Sequence, residues 1–173
     1  VYEQVDAVML SGETAIGKYP LETIQIMQEI ILNIENEYSN YQFQRRSDKL
    51  INFRDAIGEA VKTISSNLEI HAIVVMSESG TTSKIVSSIK PTADIFSLCP
   101  HLDVCNKMSL FWGVTSIHTK EYSSTDEMLN TTEVILLDKK YIKKDQTFVM
   151  TAGIPVGVSG STNMLKIHKI RKG

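Results

Sequence analysis

The order of apolar and polar positions predicts that strands and helices alternate after about residue 48. Four short apolar runs have the length and composition of buried strands, at 72–76, 94–99, 114–117 and 147–152. Between them apolar residues recur at intervals of three and four, which is typical of helices that cover a sheet. A fifth run, 164–170, alternates between apolar and polar residues and suits an edge strand with one wet face.

These elements predict an α/β fold, a mixed five-stranded sheet of four parallel strands and one antiparallel edge strand with helices on both faces. The connection at 152–162 is too short for a crossover, so the last strand should run antiparallel to its neighbour. Right-handed crossovers place strands 72–76 and 147–152 side by side, where the strand order reverses. Ligands of such sheets bind outside the carboxyl ends of the strands at that point.

The N-terminal residues follow a different pattern. Residues 5–10 are predicted as a short buried strand and 11–20 as a loop. From Pro20 to Glu37 apolar residues recur at helical spacing over about five turns. One short strand offers this helix too little surface to cover, so we expect its partner in a missing part of the protein or in another molecule.

A domain boundary is predicted after this helix. Residues 38–47 interrupt the periodicity and are predicted as a linker. The linker separates an N-terminal segment, 1–37, from an α/β domain, 48–173. A chain that begins with Val1 suggests a fragment, and this remains an expectation.

Composition narrows the classes of partner. The net charge of −2 over 173 residues leaves no electrostatic footprint for nucleic acid or a membrane surface, and no apolar run has the length of a membrane span. We therefore expect neither partner. Cys99 and Cys105 are too few for a disulfide framework, and with His101 they supply too few ligands for a structural zinc site. We expect reduced thiols and no metal.

Both loops predicted at the reversal of strand order are rich in glycine and hydroxyl side chains. The first, SESGTT at 77–82, precedes a helix, whose N-terminus offers free backbone N–H groups and the positive end of its dipole. The second is AGIPVGVSGST at 152–162. Together they indicate a phosphate site. Ser and Thr also cap helices for purely structural reasons, so both interpretations remain open at this point.

Three segments carry a resemblance to a known family. MLSGETAIGKYPLETI at 9–24, preceded by Asp6, closely resembles the pyruvate kinase segment D-x-x-M-L-S-G-E-T-A-x-G-x-Y-P-x-E. IVVMSESGTTSKIVSSIKP at 73–91 resembles the start of that family's C-terminal domain, and PVGVSGSTNMLKI at 155–167 resembles its closing loop and last strand.

The resemblance implies that the chain is the C-terminal part of a pyruvate kinase. Residues 1–37 would be the last strand, loop and helix of a TIM barrel, and 48–173 the domain for regulation and tetramer assembly. The full-length enzyme would use Mg²⁺ and K⁺ to transfer phosphate from phosphoenolpyruvate to ADP in glycolysis, giving pyruvate and ATP. We expect it in the cytoplasm, with an organellar form still open. The family's catalytic lysine and metal-binding acidic residues have no counterpart here, so the fragment alone should be inactive and hold no cofactor.

The resemblance also implies two sets of site residues. The loop at the barrel mouth would be Ser11, Gly12, Glu13 and Thr14, although Glu13 is equally a helix-start carboxylate that favours the dipole. The effector-phosphate site would be formed by residues of the two glycine-rich loops: Ser77, Glu78, Ser79, Gly80, Thr81, Thr82, Gly157, Ser159, Gly160 and Ser161.

Two departures from the family pattern predict little response to a sugar bisphosphate. Glu78 stands where members activated by fructose bisphosphate tend to have a lysine, and its carboxylate repels phosphate. Residues 153–163 contain no Arg or Lys. We expect either an effector with a single phosphate group, bound more weakly than a sugar bisphosphate is bound in those members, or no effector. A stand-alone phosphate sensor and a structural oligomerisation module remain as alternative functions.

Overall fold

A computed structural model describes residues 5–38, 52–156 and 160–170. The described residues divide into two compact units, which lie within Val1–Arg46 and Ser47–Gly173. The domain limits predicted from the sequence stay a prediction. Apart from Tyr38, which ends a helix, the predicted linker 38–47 lies outside the described residues.

The described residues of the first unit form two helices, α1 (Gly12–Ala15) and α2 (Pro20–Tyr38). The helix predicted from Pro20 is confirmed. The strand predicted at 5–10 is wrong: the segment forms no strand, and Val8 and Met9 are 42% and 86% exposed. A strand needs a neighbour for its N–H and C=O groups, and no described segment pairs with this one. The loop predicted at 11–20 instead contains the single turn of α1.

The second unit holds the α/β domain. In chain order its elements are α3 (Phe53–Asn67), β1 (Ala72–Met76), α4 (Thr81–Ser88), β2 (Asp94–Cys99), α5 (Leu102–Met108), β3 (Val114–His118), α6 (Thr125–Asp138), β4 (Thr147–Gly153) and β5 (Thr162–Lys169). The helix α3 begins at Phe53 and is capped by the side chain of Asn52, while 48–51 lie outside the described residues.

The predicted mixed sheet is confirmed. Its order is β3-β2-β1-β4-β5, with β1 parallel to both β2 and β4. The edge strand β5 runs antiparallel to β4 and begins at Thr162, two residues before its predicted start. All five residues of β1 are buried, because helices cover both faces of the sheet at its centre.

Helices lie on both faces, as predicted. On one face α6 supplies Met128 and Leu136 to a core that contains Phe148 and Met150 of β4. On the other face α3 and α4 pack against residues that alternate with these, Ile73, Val75 and Val149 among them. A smaller cluster joins α5 to the end of β2 through Cys99, Cys105 and Met108. This double cover fixes the register, since a shift by one residue would exchange the two faces.

Candidate functional site

A cleft beyond the carboxyl ends of β1 and β4 brings the two glycine-rich loops together. It measures about 540 Å³, including the part open to solvent. The first loop contributes Ser77, Glu78, Ser79, Thr81 and Thr82, and the second contributes Gly153, Gly160, Ser161 and Thr162. Gly80 starts α4 without lining the cleft, while Gly157 and Ser159 lie outside the described residues. The described loop residues therefore lie where the sheet topology predicted them.

A buried hydrogen bond joins the loops. The hydroxyl oxygens of Thr82 and Thr162 are 2.6 Å apart, and both residues are more than nine-tenths buried. Thr82 lies in the first turn of α4 and Thr162 begins β5. This contact couples a helix start to the edge strand 80 residues later. Sequence spacing gives no signal for such a pairing.

The first loop is shaped by hydrogen bonds of its own. The N–H of Gly80 donates to Oγ of Ser77 at 3.0 Å, and the hydroxyls of Ser79 and Thr81 are 3.0 Å apart. Gly80 has φ of 78°, in the left-handed region that glycine enters at little cost. The turn thereby aims its hydroxyls and the N-terminus of α4 at the cleft.

The second loop is closed by one side chain. Asn163 accepts from the N–H of Ile154 at 2.9 Å and donates to its carbonyl at 2.7 Å. Gly153 passes so close to Ser161 that an added Cβ would lie 3.2 Å from the Ser161 carbonyl carbon. Close approach at this point explains the glycine at the end of β4.

Two side chains from other elements affect the charge at the cleft, and the sequence analysis missed both. Nε2 of His101, the residue before α5, lies 3.2 Å from the carboxylate of Glu78 and holds it in place. Arg54, from the first turn of α3, lines the cleft, and an added Cβ on Gly160 would lie 3.6 Å from its Nη2 atom. The one signal for Arg54 in the sequence was a basic residue in a helical first turn, where the dipole disfavours it.

The inner wall of the cleft is less polar than the two loops. It includes Met76, Leu98, Met128 and Tyr122. Burial raises the pKa of the Tyr122 hydroxyl, which therefore stays protonated at neutral pH. A ligand in the cleft would meet hydroxyls and N–H groups at the loops and apolar side chains farther in.

The residues predicted at a barrel mouth lie in the first unit. Ser11, Gly12 and Glu13 are exposed, and Thr14 is half-buried. The N–H of Ser11 donates to Oε2 of Glu13 at 2.9 Å, and backbone hydrogen bonds lower the pKa of that carboxyl. Glu13 thus stabilises the turn of α1. Whether these residues take part in catalysis stays a prediction.

The two cysteines are free and buried. Burial raises the pKa of Cys99 to about 11, so its thiol is protonated at neutral pH. Within the part of the chain that the structure describes, no group of three or more His, Cys, Asp and Glu side chains could hold a metal ion. None of the described helices has the length and apolar character needed to cross a membrane.

The fold and the cleft define an α/β domain with a ligand cleft between hydroxyl-rich loops, where the strand order reverses. Residues 55–168 match the family model for the pyruvate kinase alpha/beta domain, and the chain belongs to the pyruvate kinase family. The recognition made from the sequence motifs is confirmed.

Similarity to curated pyruvate kinases supports the same family assignment. The chain is 35% identical over 172 residues to a pyruvate kinase of Clostridium acetobutylicum, covering 98% of this chain and 36% of the relative. It is 37% identical over the same length to pyruvate kinases of Sporosarcina psychrophila and Geobacillus stearothermophilus, covering 29% of each. The chain thus spans about a third of the length of these relatives.

Proposed function

We propose that this chain is the regulatory and oligomerisation portion of a pyruvate kinase. The full-length enzyme transfers phosphate from phosphoenolpyruvate to ADP in glycolysis, giving pyruvate and ATP, and acts in the cytoplasm as a tetramer. The cleft between the two loops binds a phosphorylated small molecule that regulates the enzyme. The names of the curated relatives support the activity, and the α/β domain match supports the part of the enzyme.

One observation carries the proposed effector site. Two loops 80 residues apart converge at the reversal of strand order and are joined by the buried bond between Thr82 and Thr162. Hydroxyls and the N-terminus of α4 supply donors suited to phosphate oxygens. A sugar bisphosphate is disfavoured, because Glu78 lines the cleft and Arg54 is the one Arg or Lys among the described residues that line it. The effector is therefore a monophosphate.

The first unit belongs to a TIM barrel in this proposal. The apolar residues Leu21, Ile26, Ile30 and Leu32 of α2 are 49–72% exposed, and this much exposed apolar surface suits packing against other elements. The described residues include no group of three or more His, Cys, Asp and Glu side chains that could hold a metal ion, and we assign both Mg²⁺ and K⁺ to the rest of the full-length enzyme. The chain by itself is then catalytically incompetent, and a coupled assay should detect no pyruvate from phosphoenolpyruvate and ADP. Pyruvate formation would contradict this part of the proposal.

Isothermal titration calorimetry tests the effector site. The chain is titrated with AMP, ribose 5-phosphate and fructose 1,6-bisphosphate, and Thr82→Val serves as the site variant. At least one monophosphate should bind, the bisphosphate should bind no tighter, and the variant should bind more weakly. Heat from none of the three ligands would refute an effector site, whereas tight bisphosphate binding that depends on Thr82 would refute the monophosphate preference.

A structural oligomerisation module is the second candidate. The carboxylate of Glu78 in the wall of the cleft favours it, because an acidic lining suits a loop that no longer binds phosphate. Sedimentation velocity separates this candidate from a stand-alone phosphate sensor: a module forms oligomers without binding any of the three ligands, whereas a sensor binds ligand as a monomer.

A further inference from the structure

Arg54 is a half-buried cation that forms no ion pair with a carboxylate of the described residues. Its guanidinium lies over Gly160 at the rim of the cleft. Among the described residues it takes part in none of the ion pairs, and Glu78, the acidic side chain that also lines the cleft, is paired with His101. A guanidinium removed in part from water without a carboxylate partner is unfavourable, and an anion from solution would compensate it.

The position of Arg54 in its helix adds a second cost. It is the second residue of α3, after the cap at Asn52, where the positive end of the helix dipole disfavours a cation. A surface-facing arginine would escape part of this cost by extending into water. Arg54 instead lies against the second loop, so the arrangement suits a bound anion better than it suits the empty domain.

We propose that Arg54 is the phosphate-pairing cation of the effector site and that it limits the site to a ligand with one phosphate group. This rests on the proposed function, since it names the residue and ligand class for the same cleft. One phosphate carries about −1.5 to −2 charges at neutral pH. Arg54 and the N-terminus of α4 together offset most of that charge. No other Arg or Lys is among the described residues that line the cleft, so a second phosphate would have no cation to pair with.

The guanidinium also sets the geometry of recognition. Arginine presents parallel N–H donors that match two oxygens of one phosphate, whereas lysine offers a point charge. Because Arg54 comes from α3, it approaches the cleft from outside both glycine-rich loops. The phosphate would then lie between the first loop and α3, beside Gly160.

Calorimetry on the whole chain tests this assignment, with inorganic phosphate and ribose 5-phosphate as probes. Arg54→Gln should weaken both by about 10- to 100-fold, the loss typical of a hydrogen bond to a charged group. Arg54→Lys should recover part of the affinity, because charge is kept but the bidentate geometry is lost. Lys84→Gln is the matched control: Lys84 is exposed on α4 outside the cleft, and its loss should change affinity less than about twofold.

The outcomes separate this inference from the proposed function. If neither probe binds the unaltered chain, the effector site itself fails. If both bind and Arg54→Gln binds as tightly as Lys84→Gln, the effector site stands and the role of Arg54 is refuted. Fructose 1,6-bisphosphate binding more than about tenfold tighter than ribose 5-phosphate would refute the single-phosphate class. Thermal unfolding of each variant is the folding control, because a variant that keeps the unfolding temperature of the unaltered chain has lost affinity without losing its fold.

Discussion

Two turns in this chain combine Ser, Gly, Glu and Thr at the start of a helix: SGET at 11–14 and SESGTT at 77–82. In the first, Glu13 accepts from the N–H of Ser11 and Thr14 donates to the Ser11 carbonyl, so the polar groups are satisfied within the turn. In the second, Thr82 is buried against Thr162, from a strand far along the chain.

The difference shows what a hydroxyl-rich turn can and cannot indicate. Both turns contain residues that favour a helix start, and both do start helices. The second has a partner loop within its own unit, because β1 and β4 are neighbours in the sheet and their carboxyl ends lie together. The cleft therefore depends on the strand order. The composition of a turn does not by itself indicate a binding site, since either turn could start a helix without forming one.

Removal of one buried hydroxyl should have the largest effect. Thr82→Val leaves the hydroxyl of Thr162 buried without its partner, and we expect a loss of about 1–3 kcal/mol in the free energy of unfolding. Thr14→Val removes a more exposed hydrogen bond and should cost less than about 0.5 kcal/mol. Urea unfolding is followed by the fluorescence of the single Trp112 for the second unit and by far-UV circular dichroism, which also reports the helices of the first unit.

A double variant gives this prediction its control. Replacement of both partners, Thr82→Val with Thr162→Val, should restore most of the lost stability, because no unsatisfied hydroxyl remains. Equal stability of Thr82→Val and Thr14→Val would show that the two turns differ less than their contacts suggest.

The second largest effect on stability is expected from replacing the glycines at the two helix starts, Gly80 and Gly12. Gly80→Ala places a Cβ at φ of 78° and 3.1 Å from Cγ of Met108, and we expect a loss of about 1–2 kcal/mol. Gly12 has no neighbour within 4 Å of an added Cβ, so Gly12→Ala should be neutral or slightly stabilising. Urea unfolding is measured as for the threonine variants. A Gly80→Ala variant as stable as the unaltered chain would contradict the role assigned to the left-handed turn.

The carboxylates of the two turns should differ in their effect on ligands. Glu78→Gln removes a negative charge from the cleft, and phosphate should bind about 2- to 5-fold more tightly. Glu13→Gln changes the charge by the same amount in the other unit and should leave the affinity unchanged. Calorimetry with inorganic phosphate measures both. Weaker binding by Glu78→Gln would mean that the pair with His101 holds the first loop in shape.

The smallest expected effect is the pH dependence that Glu13 gives to the stability of the first turn. Backbone hydrogen bonds lower the pKa of Glu13 in the folded chain, so their contribution is complete above the unfolded value of 4.5. It is lost as the pH falls through the lower folded value. An NMR titration should show the Glu13 carboxylate titrating below 4.5, together with the amide of Ser11. In Glu13→Gln the Ser11 amide should lose this pH dependence, and a carboxylate that titrates at 4.5 or above would contradict the hydrogen bond.

The sequence predicted more of the second unit than of the first. The strands β1 and β2 begin and end at their predicted residues, because each buried run is bounded by polar or turn residues. Ser124 and Glu127 have the spacing of a capping box at the start of α6, and one of its two hydrogen bonds forms. Ser124 does accept from the N–H of Glu127, but the Glu127 carboxylate accepts from the N–H of Ser123 instead of Ser124. Local patterns predict an element's position better than the hydrogen bonds at its end.

The failures come from contacts that local patterns do not contain. Residues 5–10 have the composition of a strand, but a strand forms only where a neighbour accepts its hydrogen bonds. The sequence also did not reveal that His101 contacts Glu78 or that Arg54 of α3 lines the cleft, while the predicted effector preference stays a prediction. Each of these groups is remote in sequence from the loop that it affects.

Periodicity, turn residues and chain order were enough to determine the elements of the α/β domain, the mixed sheet and the meeting of the two loops, because helix and strand periods and crossover handedness act locally. The tertiary structure alone decided which hydroxyls are buried against each other, which carboxylate is paired and which cation lies at the cleft. Burial and electrostatic pairing depend on distances through space, and these follow from the packing of residues that are far apart in the sequence.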